Sequence, residues 1–300
     1  MTMQARIQAT PANDPGHAAH IEARLADAAR FVRMHAIASI WHAGSGHPGG
    51  ALSSADLFAC LYGAEMNVSP RRVDDPLRDR FVLSKGHAAP ALYAVGACYG
   101  FCDAKDALRL RKLNSPFQGH PHVLDLPWVE TSTGSLGQGI SVAVGMAIGL
   151  RIQKNPARVY TMLGDGELQE GQVWEAAMSA AHHGLGALTA VIDYNKLQSD
   201  NSNDAIMRLE PLADKWRAFG WDVQEIDGHD IAAILAALRH AGTTPQPSVL
   251  IAHTVKGKGV PYMENIPLWH GSVKFTRQQA EDALDALGAS VAEKKELLDV

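Results

Sequence analysis

Cysteine is scarce in this 300-residue chain, which has only Cys60, Cys98 and Cys102. The number is odd and no two of them form a CxxC pair, so the sequence favours neither a disulfide framework nor a structural zinc site. Unpaired cysteines are typical of a reducing compartment, and we therefore expect a cytoplasmic protein.

Long hydrophobic runs and excess positive charge are also lacking. The uncharged stretch near the middle, residues 140–150, has about half of the ~20 apolar residues that a membrane-spanning helix needs. The formal net charge of −5 and the pI near 6.3 provide no basic field to attract nucleic acid or an anionic membrane. These absences favour a globular protein that binds a small molecule, with no nucleic acid and no membrane as its partner.

The domain organisation is simple, because the sequence contains no repeat and no linker rich in Pro, Gly or Ser. Residues 1–18 are rich in Ala, Pro, Asn and His and lack the apolar core of a secretory signal, so we expect a flexible tail. The hydrophobic content of 46% is ample for a core, and residues 19–300 are predicted to form one domain.

Short apolar runs alternate with helical patterns in the second half of the chain. Strands are predicted at residues 80–83, 159–163, 188–193 and 249–253, with a weaker one at 221–226. Helices are predicted at residues 19–41, 54–62, 88–100, 136–150, 173–182 and 231–241. This alternation predicts an α/β fold, with a parallel sheet flanked by helices on both faces.

Polar residues follow two of these strands where a parallel sheet binds its ligands. Asp165 lies between two glycines after the strand at 159–163, and Asn195 follows the strand at 188–193. A carboxylate and an amide supply the oxygen ligands that Mg²⁺ prefers, and the glycines let backbone N–H groups approach a phosphate. A GDG turn alone is more often a surface turn, so only its pairing with Asn195 indicates a metal site.

The spacing between the two sites resembles the thiamine-diphosphate signature, in which a GDG is followed after an interval of about this length by an Asn. Further motifs then resemble those of transketolases in the same order, across residues 31–271. They are Gly44-Ser45-Gly46-His47-Pro48-Gly49, Leu83-Ser84-Lys85-Gly86-His87, Gly119-His120-Pro121, Gly134-Ser135-Leu136-Gly137-Gln138-Gly139 and Trp269-His270-Gly271. The resemblance implies a thiamine-diphosphate-binding fold.

The resemblance also implies roles for individual residues. The metal, Mg²⁺ or a substituting Ca²⁺ or Mn²⁺, would be held by Asp165, Asn195 and the backbone carbonyl of Leu197. Thiamine diphosphate would be contacted by His87, Gly134, Ser135, Leu136, Gly166, Asn195 and His270. Proton transfer at the sugar hydroxyls would fall to His47, His120 and His270, and histidine suits that task because its ordinary pKa is near 6.5.

Several residues keep two interpretations at this stage. Glu170 and Glu175 match family carboxylates near a subunit contact, but both would also suit an exposed helix. Lys256 and Lys258 would meet a substrate phosphate or, as the more common case, lie in a solvated loop. His122 would pair with its neighbour His120 on a metal only if a carboxylate or cysteine lay nearby in sequence, and we expect none to do so.

Transketolases have a second domain, which binds the aminopyrimidine of the cofactor and supplies a glutamate to it, and this sequence ends before such a domain would begin. The resemblance therefore implies the N-terminal subunit of a two-chain transketolase, inactive without a C-terminal partner and assembled with it as an α2β2 heterotetramer. With that partner it would transfer a two-carbon ketol unit from a ketose phosphate to an aldose phosphate. Ser135 departs from the family, which usually has Pro there, and makes that turn less rigid.

Three other functions compete with this one. Another thiamine-diphosphate enzyme, such as a deoxyxylulose-phosphate synthase or the E1 part of a 2-oxoacid dehydrogenase, shares the signature but is disfavoured by the histidine set. A non-catalytic scaffold subunit would have no need of Asp165, Asn195 and the histidines. A nicotinamide dehydrogenase is disfavoured because the glycines at 134, 137 and 139 have the wrong spacing for GxGxxG.

Overall fold

The computed structural model describes residues 17–271 and 273–299. Residues 1–16 of the predicted flexible tail lie outside this part of the chain, and the first described helix begins at His17. Five strands form one sheet: β1 (Arg80–Leu83), β2 (Val159–Gly164), β3 (Leu188–Tyr194), β4 (Asp222–Asp227) and β5 (Ser248–His253). Their order in the sheet is β1-β2-β3-β5-β4, and every neighbouring pair is parallel.

The helices include all six that the sequence predicts, with ends displaced by a few residues. They are α1 (His17–Ala43), α2 (Pro48–Ser53), α3 (Ala55–Cys60), α4 (Ala89–Cys98), α5 (Ala104–Ala107), α6 (Gln138–Ile152), α7 (Gly171–His182), α8 (Asn203–Ile206), α9 (Leu212–Ala218), α10 (Ile231–Ala241), α11 (Arg277–Ala286) and α12 (Val291–Leu298). The short helices α2, α5, α8 and α9 and the C-terminal pair were not predicted. The four short helices have at most seven residues, too few to show a helical period. None of the helices described is both long and apolar enough to cross a membrane.

Helices cover both faces of the sheet, as predicted. Successive strand residues point to opposite faces, so Met162 packs in one hydrophobic core and Leu163 in the other. Helices α1, α3, α4 and α10 belong to the first core, whereas α6, α7 and α9 belong to the second. Strands β2, β3 and β5 read as continuous apolar runs because they are buried from both sides, whereas β4 at the end of the sheet is half-buried to exposed and largely polar.

The strand register brings the loops that follow β2, β3 and β5 to one edge of the sheet. Gly164 lies opposite Asp193, and Tyr194 lies opposite His253, so these three strands end at nearly the same level. The segments that begin at Asp165, Asn195 and Thr254 therefore leave the sheet side by side. This is the edge at which parallel sheets bind ligands.

Candidate active site

A cavity of about 360 Å³ opens at the carboxyl ends of the strands. It is lined by nearly all of the residues that the sequence singled out, although they come from segments more than 200 positions apart. Those residues are His47, His87, His120, Gly134, Leu136, Asp165, Gly166, Asn195, Leu197 and His270. Ser135 is exposed and does not line the cavity, so its predicted contact with the cofactor stays a prediction.

Four histidines form one cluster on a wall of this cavity. The ring centroid of His47 lies 5.3 Å from that of His87, 6.4 Å from that of His120 and 5.9 Å from that of His270. The rings of His87 and His270 are also 5.3 Å apart. Because His47 follows α1 while the other three come from separate loops, only the folded chain brings them together.

The environment keeps these histidines neutral at pH 7. Burial, followed by the charges of Arg111 and other neighbours, lowers the pKa of His47 to about 4. Burial and the nearby Lys256 lower the pKa of His270 to about 3. The pKa values of His87 and His120 are lowered as well, chiefly by burial. Each of the four rings is therefore unprotonated at neutral pH, which is the form that a proton acceptor requires.

The predicted metal ligands present oxygen atoms at the floor of the cavity. The Asp165 carboxylate accepts hydrogen bonds from the backbone N–H groups of Gly166, at 2.8 Å, and of Lys196. Burial raises the pKa of Asp165 to about 6, against the opposing charge of Lys256. The carbonyl of Leu197 accepts a hydrogen bond of 2.6 Å from the Lys256 ammonium. A cation thus already interacts with two of the three predicted ligands.

Asn195 is oriented by its neighbour Asp193. The amide Nδ2 of Asn195 donates to Asp193 Oδ2 at 3.2 Å, and its Oδ1 accepts from the backbone N–H of Leu197 at 3.2 Å. The described parts of the chain contain no group of three or more His, Cys, Asp or Glu that could hold a metal. A set of one carboxylate, one amide and one carbonyl is instead the donor chemistry of Mg²⁺, which keeps waters and phosphates as its other ligands.

A buried ion pair beneath the site was missed by the sequence analysis. Lys85 Nζ donates to Asp193 Oδ2 at 2.5 Å, and the same oxygen accepts from Ser53 Oγ at 2.6 Å. Thr254 Oγ1 donates to the other oxygen at 2.5 Å. Burial alone would raise the pKa of Asp193, but Lys85 and the hydrogen bonds hold it below its usual value. The motif containing Lys85 was recognised, but Asp193 was read only as the last residue of a strand.

Glu167 is a second residue that the sequence analysis missed. Its buried carboxylate accepts hydrogen bonds from Ser84 Oγ at 2.5 Å, from Gly137 N at 2.9 Å and from Gly164 N at 3.0 Å. Burial raises its pKa despite these bonds. Glu167 therefore joins the ends of β1 and β2 to the turn that precedes α6, and that turn borders the cavity.

Lys256 corrects one expectation. The sequence favoured a solvated loop, but the Lys256 residue is only 2% exposed and its side chain lines the cavity, because the segment after β5 turns inward. Burial lowers its pKa to about 8, and the carboxylates of Asp165 and Asp193 oppose that shift. Lys258 instead lines a separate groove of about 960 Å³, with residues such as His229 and His253.

The cavity suits a compact polyanion such as a diphosphate. Its lining includes the ammonium group of Lys256, whereas that of Lys85 is paired with Asp193, and the Nδ1 atoms of His47 and His270 are buried with no hydrogen-bond partner among the described residues. Gly134 has φ of +147°, and a Cβ there would lie 3.0 Å from the His120 ring. Glycine is therefore required where this turn passes the histidines.

The structure bears on two alternatives that the sequence left open, the surroundings of His122 and the role of Glu170 and Glu175. His122 Nδ1 lies 2.9 Å from Asp125 Oδ2, so the expectation of no carboxylate near this histidine in sequence is wrong. Both side chains are solvent-exposed, and they form an ordinary surface pair. Glu170 and Glu175 are exposed, which suits either interpretation, and their role at a subunit contact stays a prediction.

The sequence matches the family described as transketolase, thiamine diphosphate binding domain, over residues 21–295. It is 40% identical over 253 residues to a subunit of the apulose-4-phosphate transketolase of Phocaeicola vulgatus, covering 84% of this chain and 89% of that protein. It is 41% identical over 260 residues to the 6-deoxy-6-sulfo-D-fructose transketolase subunit SqwG of Clostridium sp. strain MSTE9, covering 86% of this chain and 94% of that protein.

A solved transketolase structure has the same fold as this chain. Transketolase from Campylobacter jejuni superposes with a TM-score of 0.81 and 30% sequence identity, covering 93% of this chain and 47% of that chain. The present chain therefore spans about half the length of that enzyme. The likeness confirms the predicted thiamine-diphosphate-binding fold.

Proposed function

The chain belongs to the family of transketolase thiamine-diphosphate-binding domains, and from this premise we propose that it is the N-terminal subunit of a two-chain transketolase. With a C-terminal partner it transfers a two-carbon ketol unit from a ketose to an aldose. The proposal depends on one observation: four neutral histidines line the same cavity as the buried Asp165 and Asn195, which follow β2 and β3. We place the protein in the cytoplasm.

The proposed metal is Mg²⁺, for which Ca²⁺ or Mn²⁺ can substitute, held by Asp165, Asn195 and the carbonyl of Leu197. The diphosphate is held by His87, His270 and the backbone at Gly166, with Gly134, Ser135 and Leu136 along its border. When bound, thiamine diphosphate supplies the nucleophile and the electron sink for breaking a carbon–carbon bond beside a carbonyl. The protein supplies position, charge and proton transfer.

The proton transfers are assigned to His47, His120 and His270. All three rings have lowered pKa values, so each is neutral at pH 7 and accepts a proton from a sugar hydroxyl as the carbon–carbon bond breaks. The protonated ring is destabilised by burial, so it returns the proton readily to the next substrate oxygen. This cycle suits a reaction that runs in both directions.

The partner and the substrates are proposed from the relatives. Two relatives that match most of this chain are named as transketolase subunits, which supports a separate partner chain. We assign the binding of the aminopyrimidine to that C-terminal partner and propose that the two chains assemble as an α2β2 heterotetramer. Their names refer to apulose 4-phosphate and to a sulfonated fructose. We therefore propose anionic sugars as substrates, with sugar phosphates of the pentose phosphate type as the first to test.

The test is a reconstitution with a C-terminal transketolase chain encoded beside this one. Each chain alone and the mixture are assayed with thiamine diphosphate and Mg²⁺, a ketose phosphate donor and an aldose phosphate acceptor. Transfer only in the mixture is expected. Turnover by this chain alone, purified free of host transketolase, would refute the requirement for a partner.

Another thiamine-diphosphate activity is tested in the same mixture by replacing the ketose donor with pyruvate. Turnover with pyruvate in place of the ketose would support a deoxyxylulose-phosphate synthase or a 2-oxoacid dehydrogenase. A scaffold role predicts that replacing His47 leaves the activity of the mixture unchanged. The match to the transketolase family favours ketol transfer over another thiamine-diphosphate activity and over a scaffold role.

A further inference from the structure

Arg111 joins two loops of the proposed active site, although the resemblance assigned it no role. Its Nη1 donates a hydrogen bond of 2.5 Å to Ser45 Oγ, and Ser45 lies in the loop that carries His47. Its guanidinium also lies against Gly119, where a Cβ would come within 2.6 Å of Nε. Gly119 directly precedes His120. One side chain thus contacts the neighbours of two proposed catalytic histidines.

The segment that carries this arginine, residues 108–119, is anchored to the protein core. Phe117 is 2% exposed and packs edge to face on Tyr93 at a centroid distance of 5.2 Å. The Tyr93 hydroxyl donates to the carbonyl of Gln118 at 2.9 Å. Arg111 adopts φ of +57°, which is rare for a non-glycine residue, and its N–H donates to the Phe117 carbonyl at 2.8 Å. The guanidinium therefore projects from a fixed base.

A second contact holds the same segment to the last turn of α1, which precedes the loop of His47. Lys112 Nζ donates a hydrogen bond of 2.5 Å to the carbonyl of His42 near the end of α1. Within residues 17–271 and 273–299, no Asp or Glu forms an ion pair with Arg111. Its charge is therefore not neutralised locally, and it acts on the two histidines beside it.

We propose that Arg111 is a positioning residue that sets the distance between His47 and His120 by bridging Ser45 and Gly119. This inference rests on the proposed ketol transfer and extends it to a residue outside the cavity lining. The two rings are 6.4 Å apart, a separation that suits adjacent hydroxyls of one sugar. A displacement of about 1 Å at such a site is enough to lower the rate about 100-fold.

The positive charge of Arg111 adds a second, measurable effect. It lowers the pKa of both His47 and His120, next in size to burial. Lys256 and His120 also face His47 and lower its pKa in the same direction, and the His87 and His270 rings lie beside it. Removing the guanidinium is therefore expected to raise the pKa of both imidazoles, because one of these repulsive charges is lost.

The experiment compares Arg111→Met with Arg109→Met in the complex with the C-terminal partner. Arg109 lies in the same segment and has the same charge, but it is exposed and its side chain makes no hydrogen bond or ion pair with the described residues. We expect kcat/KM to fall about 100-fold in Arg111→Met, with thiamine diphosphate affinity within about twofold of wild type. Arg109→Met is expected to stay near wild type in both.

Two further variants separate the bridge from the charge. Arg111→Lys keeps the charge but cannot span both loops, so we expect about a 10-fold loss in kcat/KM with no shift in the acid limb of its pH profile. Ser45→Ala removes one contact and is expected to give a loss of similar size. These two variants also provide the test if Arg111→Met does not fold.

A readout that needs neither cofactor nor partner is the titration of the His47 and His120 imidazoles by NMR in the full chain. Both are expected to titrate at higher pH in Arg111→Met than in Arg109→Met. Equal kcat/KM in these two variants, or a change in KM alone with unmoved titrations, would overturn the inference. An inactive wild-type complex would instead overturn the proposed ketol transfer, so the two failures are distinguishable.

Discussion

Lys85 and Asp193 form an ion pair that is almost fully buried on both sides, with Nζ 2.5 Å from Oδ2 and each side chain 1% exposed. The pair lies between the end of β1 and the end of β3, directly below the residues proposed to bind the metal. Two opposite charges at this depth are tolerated because the carboxylate also accepts hydrogen bonds from Ser53 and Thr254. The pair therefore holds the floor of the cavity in one arrangement.

Breaking this pair is expected to destabilise the chain strongly. In Lys85→Met the Asp193 carboxylate stays buried without its cation, and we expect the free energy of unfolding to fall by about 3–5 kcal/mol. Denaturant unfolding of the isolated chain measures this. The double variant Lys85→Met with Asp193→Asn should lose less unfolding free energy than Lys85→Met alone, because no uncompensated charge remains.

The matched control for that prediction is the surface pair of Arg217 and Asp214, whose Nη1 and Oδ1 are 2.9 Å apart with side chains 53% and 70% exposed. Arg217→Met should cost less than about 1 kcal/mol. If Lys85→Met lowered the free energy of unfolding by no more than Arg217→Met does, the buried pair would not be a structural support.

Asp165→Asn is expected to weaken cofactor binding at the proposed metal site. The variant removes the one carboxylate of the ligand set, so we expect Mg²⁺-dependent thiamine diphosphate affinity to fall by roughly 100-fold or more. Calorimetry of the assembled complex with and without EDTA measures the effect. Asp200→Asn is the control, since Asp200 lines the same cavity but is exposed. Equal affinity in both variants would contradict the assigned metal role.

His47→Gln is expected to impair proton transfer while leaving the cofactor in place. Loss of a general base typically lowers the rate by about 10²–10⁴-fold, and we expect a fall in kcat/KM within that range. Steady-state kinetics of the complex, combined with thiamine diphosphate titration, separates the two effects. His122→Gln, which changes an exposed histidine paired with Asp125, should retain wild-type turnover. Comparable rates for both variants would argue against a catalytic role for His47.

Acid is expected to destabilise the isolated chain through its buried histidines, and His35 provides a test outside the active site. Burial lowers the pKa of His35 to about 4, from an ordinary value of 6.5 in the unfolded chain. As pH falls from 6.5 to 4 the unfolded state binds a proton that the folded state excludes, so stability is lost in that window. The contribution is at most about 3–4 kcal/mol, from the difference between these two pKa values.

The measurement for this prediction is the free energy of unfolding at several pH values for His35→Leu and for His183→Leu. The first variant should reduce the slope between pH 6.5 and 4, because it removes the buried imidazole. The second replaces an exposed histidine and should keep the wild-type slope. Parallel curves for wild type and His35→Leu would contradict the assignment.

The sheet and half of the twelve described helices were predictable because their signals are local. Strands buried on both faces appear as continuous apolar runs, and β1 was predicted at its observed bounds while the other four strands differ by a residue or so. The ligand edge followed from Asp165 and Asn195 at two strand ends. Lys256 was misjudged because a Gly-rich loop gives no sign of whether it turns inward or outward.

The sequence by itself determined the fold class, the family and the order of the motifs, since each is encoded in a run of neighbouring residues. Only the tertiary structure decided which side chains form ion pairs and hydrogen bonds with one another. The ion pair of Lys85 and Asp193 spans 108 positions, the hydrogen bond from Ser84 to Glu167 spans 83, and the bridge from Arg111 to Ser45 spans 66. Such contacts depend on strand register and burial, and no local pattern records them.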